Sequence, residues 1–358
     1  MKRVHFLSAI VALILMGGLI ALSTSTVYAA VACGDLIIAK TKLESNLDSS
    51  EYEGDALVIG ADDVTIDLNG YTILSNGTDY AAIFGAGFSG TTIKNGAISG
   101  FEVGVLLFNA SNSEIKRLSF MQQSTNGIAI LDSRSVFISD VQTSLLPLTI
   151  DGETVAVFLF NVDTATIERV SAEGGFYGLM SIGGTKNYIN GNSFTNVAHV
   201  GVRLLKNRGS VIENNQVVGD LNYPCYSAID VVAPEASTRI QILNNILSKC
   251  GHGVFVVNNP TEPPTPPSRK ISIRDNHISV TSDGVRLIRL QDSEVIGNHL
   301  HFNMAGIVLI ESSLNNRITE NVATGNRDWD MFHDESSTPN LWQDNTCVNA
   351  QGEDIDCP

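Results

Sequence analysis

GVRLLKNRGSVIENNQVVGD, Gly201–Asp220, decides how this chain is read, because GIVLIESSLNNRITENVATGN at Gly306–Asn326 repeats its order of events. Each stretch runs from a small residue through a short apolar strand, a polar turn and a second short strand to an Asn followed by another apolar residue. The same order restarts at Gly104, Gly127, Ala156, Gly178, Gly201, Ala228, Gly253, Gly284 and Gly306. A period of roughly 22–25 residues, with a few longer copies, marks a repeat architecture. Strands such as GVLLF, GIAIL, AVFLF, GVFVV and GIVLI are rich in Val, Ile, Leu and Phe and are bounded by Gly, Asn, Asp and Ser, so they are strands and not helical faces. No helical pattern separates them, which excludes βαβ units and leucine-rich repeats.

What remains is an all-β solenoid in which each repeat is one coil and each strand pairs in parallel with its copy in the next. At a strand spacing of about 4.7–4.9 Å, roughly a dozen coils make a stack about 55–60 Å long. Asn192, Asn215, Asn245, Asn276, Asn298, Asn321 and Asn345 mark one turn of the coil. Asn tolerates left-handed backbone geometry, and stacked amides can bond to one another as a ladder. A row of sugar-binding amides is the functional alternative. The ladder is absent before residue 190, where Arg117, Asp140 and Arg169 occupy nearby points, so less regular corners are expected there.

The opening CGDLIIAKTKLESNL…DALVIGADDVTIDLNGYTI, the coils and the closing NLWQDNTC resemble secreted right-handed parallel β-helix repeat proteins. These belong to the pectate-lyase-like superfold and include NosD-type and carbohydrate-binding or sugar-hydrolase repeats. The resemblance runs from about residue 33 to the end and implies a single-stranded right-handed parallel β-helix. It also implies polysaccharide binding, polysaccharide lyase, epimerase or hydrolase activity, or a structural or assembly role including NosD-type metal-centre maturation. It says much about fold and little about activity, because one fold hosts many chemistries. The expected division is a signal peptide at 1–30, an N-terminal cap at 31–56, the β-helix over 57–345 and a C-terminal cap or tail at 346–358.

Lys2 and Arg3, the apolar run Phe6–Leu22 and the polar stretch ending in small residues have the pattern of a secretory signal. Cleavage after Ala29, Ala30 or Ala32 fits it. An uncleaved anchor is the rival, but the run is short for a span and Gly17–Gly18 interrupts it. The chain carries 22 basic and 38 acidic residues, net −16, and loss of residues 1–30 removes two basic residues, leaving 20 − 38 = −18. Such a surface repels nucleic acid and anionic lipid, and disfavours an anionic polysaccharide unless Ca²⁺ bridges the two. No other cofactor is expected. The expected setting is secreted, periplasmic or cell-surface, with no membrane span once the signal is cleaved.

Cys225 and Cys250 lie three residues before Ala228 and Gly253, equivalent places in neighbouring coils at the separation a disulfide needs. Cys347 and Cys357 can clip the tail over the last coil, leaving Cys33 over. Insertions at Ser144–Val155, Asp220–Ser227 and Pro260–Lys270 interrupt the coils, and the first two emerge at the same edge, where they could wall a groove.

Several groups have both a chemical and a structural reading. Gly251-His252-Gly253 matches a polygalacturonase GHG, but the other signatures of that family are missing and the repeat itself places Gly253. His277 and His299 should stack one coil apart, without an obvious carboxylate or thiolate to complete a metal site. Asp62, Asp63, Asp67 and Asn69 read as a turn, and Asp328, Asp330, His333, Asp334 and Glu335 as a solvated end cap. The outward row is more informative. If the second and fourth strand residues point inward, the third points out. That position reads Phe84, Leu106, Ala129, Phe158 and Met180, then Arg203, Asp230, Phe255 and Arg286. An apolar row thus turns charged around an aromatic, beside the Asp220–Ser227 insertion. Arg203 and Asp230 read as an inter-coil ion pair, and the set also suits a sugar with its hydroxyls or carboxylates. The expected function is therefore binding of a polysaccharide or surface glycan by Arg203, Asp230, Phe255 and Arg286. Only partial catalytic sets are present.

Overall fold

The fold is seen in a computed structural model that describes residues 31–144, 154–222, 224–232, 238–258, 268–355 and 357. The expected signal sequence, most of the Ser144–Val155 insertion and most of the Pro-rich insertion lie outside the described residues. The chain forms an all-β, right-handed parallel solenoid of about 13 turns, with no helix among the described residues.

One coil shows the pattern. Strands Val200–Leu205, Val211–Glu213 and Gln216–Val218 pair in parallel with Tyr177–Ile182, Tyr188–Asn190 and Ser193–Thr195 before them. On the other side they pair with Cys225–Val232, Gln241–Leu243 and Ile246–Ser248. Alternation sends Val202, Leu204, Ile212 and Val217 inward, each with 0% exposure. In the next coil their partners are Ile229, Val231, Ile242 and Leu247. Full burial of each such side chain contributes about 1.5–3 kcal/mol, so these columns, repeated coil after coil, are the main source of stability.

The small residue that opens each coil has a steric cause. A Cβ on Gly201 would lie 2.5 Å from Val217 Cγ1 and 2.7 Å from the Ala228 carbonyl oxygen. The strand kinks there, the pairing passing over Gly201 from Val200 to Val202, with neighbours above and beside it. Ala156 and Ala228 show that a methyl fits where those neighbours leave room.

Two devices share the main corner. The left-handed conformation falls on the stacked residues Arg117, Asp140, Arg169, Gly191, Asn214, Asn244, Asp275, Gly297, Glu320 and Asp344. The ladder Asn residues are the next ones along, and their side chains turn inward. Asn245 donates both its main-chain N–H and Nδ2 to Asn276 Oδ1, at 2.9 Å each. Asn276 makes the same pair of bonds to Asn298, and its Nδ2 also reaches Ile242 O. The left-handed geometry expected of these Asn residues therefore belongs to their neighbours, while the amides satisfy buried backbone groups. Before residue 190 a single left-handed residue bends a longer strand, as in Glu114–Met121, Phe137–Ser144 and Thr166–Glu173.

Within residues 31–56, Asp35–Ile37, Thr41–Lys42 and Leu47–Asp48 pair in parallel with strands of residues 57–74. Both expected disulfides are present, with Cys225 and Cys250 in direct register. The Cys33 thiol contacts Ser49 Oγ instead.

Asn276→Ala strands two buried donors of Asn245, at about 1–3 kcal/mol each, so urea unfolding should show a loss on the order of 3 kcal/mol. Asn214→Ala, at the exposed left-handed corner, should cost less than half as much. Cys225→Ser with Cys250→Ser should lower stability by about 2–4 kcal/mol in the same assay.

Candidate functional site

The outward row exists in register. Phe84, Leu106, Ala129, Phe158, Met180, Arg203, Asp230, Phe255 and Arg286 follow one another coil by coil, and Val308 and Phe332 continue them. In the early coils the face is apolar, with Ala81, Val103 and Ala129 clustered against Phe84, Leu106 and Phe158. From Tyr177 onward it becomes polar and aromatic.

Arg203 is the hinge of this change. Its Nε and Nη2 lie 3.0 and 2.9 Å from Asp230 Oδ2, and its Nη1 lies 2.8 Å from the Tyr177 hydroxyl. Asp230 has 0% exposure, and its Oδ1 has no hydrogen-bond partner. Burial pushes its carboxyl pKa up to about 6, against the pull of Arg203 and then His252. The inter-coil ion pair read from the sequence is formed, and it is covered. Asp230 therefore faces Arg203 and not solvent. Phe255 is likewise outward yet 7% exposed, because other rings cover it. Asp230 and Phe255 thus lie beneath the surface of the row. Arg203 and Arg286 keep partial access.

The covering rings come from the one or two positions before the coil-opening small residue, which strand alternation did not reach. His252 stacks on Phe255 at 4.8 Å, and Tyr226 meets both rings edge-on at 5.3 and 5.7 Å. His199 lies 5.3 Å from Tyr226 and 4.6 Å from Phe176. Tyr226 is 43% exposed and forms the outer surface of the cluster. His252 Nδ1 is 3.1 Å from Asp283 Oδ2, off-line for a hydrogen bond. Arg286 Nη1 donates to the same oxygen at 2.8 Å. Burial raises the Asp283 carboxyl, but His252 and Arg286 together outweigh it and its pKa falls below the usual carboxylate value. Burial, then Arg203, lowers the pKa of His199. Burial and Asp230 raise that of Tyr226.

Tyr177, His252 and Asp283 escape the sequence pattern because the strand pairing skips the small coil-opening residue. A period of two cannot be carried across that kink. The GHG motif is the signal that could have found His252.

The other candidates resolve into local structure. His277 and His299 stack at 4.9 Å as expected, and no group of three or more potential metal ligands occurs among the described residues. Asp62 accepts from Ser89 N and Asp67 from Asn69 N, which makes the acidic turn a turn. Asp330 caps Asn326, Val348 and Asn349, and Asp334 accepts from Glu311 N. No helix among the described residues is long and apolar enough to cross a membrane.

Asp230 gives a pH prediction. Its folded pKa of about 6 exceeds the ordinary 3.8, so the folded state holds the proton more tightly and this group's contribution to stability falls as pH rises between those values. Asp230→Asn should remove that component. The difference in melting temperature between variant and parent should shift in the variant's favour from about pH 4 to about pH 7 and then level off.

Comparison with known proteins agrees with this architecture. Residues 136–265 match the family model described as right handed beta helix region, and residues 236–354 match that of periplasmic copper-binding protein (NosD). No curated protein sequence matches the chain. Among solved structures it is similar to PfbA, a surface adhesin of Streptococcus pneumoniae, at TM-score 0.52 and 13% identity, covering 82% of each chain. The A-module of mannuronan C-5 epimerase AlgE6 from Azotobacter vinelandii aligns at TM-score 0.54 and 15% identity, covering 86% of this chain and 82% of that one. A tailspike protein of E. coli bacteriophage HK620, solved in complex with pentasaccharide, aligns at 0.53 and 11%, covering 88% and 60%. Register, handedness and these likenesses together identify the fold of the chain as a right-handed parallel β-helix.

Proposed function

We propose that this chain is an extracytoplasmic glycan-binding β-helix, with its site on the outer face where Tyr226, His252, Arg203 and Arg286 meet. The observation that carries the reading is the change along one strand row from apolar side chains to two partly exposed guanidinium groups, each anchored by a buried carboxylate, with the exposed Tyr226 ring beside that row. Such anchoring fixes donors before a ligand arrives and lowers the entropy cost of binding. An exposed ring supplies apolar contact for a sugar face, and fixed guanidinium donors suit hydroxyls and carboxylates. Two disulfides fit an oxidising compartment. The mannuronan epimerase and the pentasaccharide-bound tailspike support a glycan as the class of partner.

A second reading, chemistry on the bound polysaccharide, is favoured by one observation. His252 faces Asp283 and stands beside the Tyr226 ring, so groups able to move protons lie at the site. Product analysis by NMR after incubation with a bound polysaccharide separates the two, since unchanged polymer removes the second reading.

A glycan array with the purified chain tests the first. Tyr226→Ala should weaken binding to the best glycan at least about tenfold, roughly 1.4 kcal/mol, with little change in melting temperature. Unaltered affinity would place the site elsewhere.

A further inference from the structure

Beside this face, one residue before His252, Asp283 and Ala305 in each coil, runs a groove with a cavity volume of about 340 Å³. Its walls are apolar and unusually open: Leu221, Val280, Phe302 and Met304 are 66%, 45%, 75% and 40% exposed. Lys249 and Arg327 bring cations to it. Arg327 is paired with Asp328 through two hydrogen bonds. Lys249 has no carboxylate partner among the described residues, although acidic residues outnumber basic ones 38 to 22. Asp220 also lines the groove, with its Oδ1 accepting from Asn222 N.

The backbone adds an independent observation. Val280 and Phe302 sit at φ +58° and +59°, at a corner where other coils place Gln122, Gly174, Asn196, Lys249 or Gly325. Left-handed geometry is an outlier for a β-branched or bulky side chain. Exposure gives these two residues no core packing to offset it, and such strain concentrates at binding sites.

We propose that this groove is a second subsite for the same glycan, and that it takes an anionic sugar residue. The apolar side of the ring lies against Phe302, and its carboxylate or sulfate pairs with Lys249. The inference rests on the glycan-binding reading and adds the charge class of the ligand. The acidic remainder of the chain does not forbid it, because exposed charges more than about 8–10 Å away are largely screened at physiological salt. A free cation inside the groove acts at contact distance.

The test uses polyuronate fragments prepared from alginate, and the same fragments with their carboxyl groups reduced to alcohols. The acid form should bind at least about tenfold tighter than the reduced form. Lys249→Met should abolish that preference and leave the melting temperature unchanged. Phe302→Gly should weaken binding of the acid fragments while raising the melting temperature, because glycine relieves the left-handed strain. A purely structural Phe302 would give no change in binding. Equal binding of the two forms, failure of the acid fragments to bind, or a preference that survives in Lys249→Met overturns the inference. If an array glycan still binds through Tyr226, the glycan-binding reading stands without it.

Discussion

The structure depends on keeping the polar backbone satisfied where a coil turns. Parallel stacking satisfies strand N–H and carbonyl groups, but every corner threatens to bury groups without partners. At the main corner a left-handed residue makes the bend, and in the later coils an inward Asn then replaces the missing backbone bonds. Asn215, Asn245, Asn276, Asn298 and Asn321 each use one carbonyl oxygen to accept two donors from the coil before, and one amide to reach back along the stack. Each bond fixes the spacing for the next coil, so the ladder both closes the polar accounts and sets the register.

That rigid register lets the outer face carry expensive groups. Asp230 is buried with one oxygen unpartnered and its pKa raised, a cost that a self-supporting strand column can absorb. In return the Arg203 guanidinium is locked between Asp230 and the Tyr177 hydroxyl. Arg286 is held in a comparable way by Asp283, which also faces His252. The site is thus layered, with acids beneath and cations and rings above. The acids serve as anchors, and the accessible chemistry belongs to Tyr226, His252 and the two guanidinium groups.

Charge acts on two scales. The net charge of −16 governs solubility and long-range repulsion. Local recognition depends on which cations remain uncompensated at contact range, and that is set by placement and not by composition. Arg117, Arg169 and Arg274 lie at other corners or strand ends and are bonded to Asn95, to Asp140 and Glu168, and to Glu294. Lys249 differs because its coil places it at the edge of an apolar groove beside the aromatic cluster.

The sequence alone determined the repeat, the parallel stacking, the inward columns such as Val202–Ile229–Val254, the Asn ladder and both disulfides. Each follows from the recurrence of residue type at a fixed spacing, and translation along one axis preserves that spacing in space. It also placed Arg203, Asp230, Phe255 and Arg286 in one outward row. Tertiary structure decided which members of that row are reachable. Direction follows from alternation within a strand, but exposure depends on the length and tilt of side chains in neighbouring coils, and there Tyr226 and His252 cover Phe255. Tertiary structure also brought in Tyr177, His252 and Asp283 across the coil-opening kink, where alternation breaks. It revealed the strained corner of Val280 and Phe302 as well, since a left-handed valine or phenylalanine has no sequence signature and is imposed by the coils on either side.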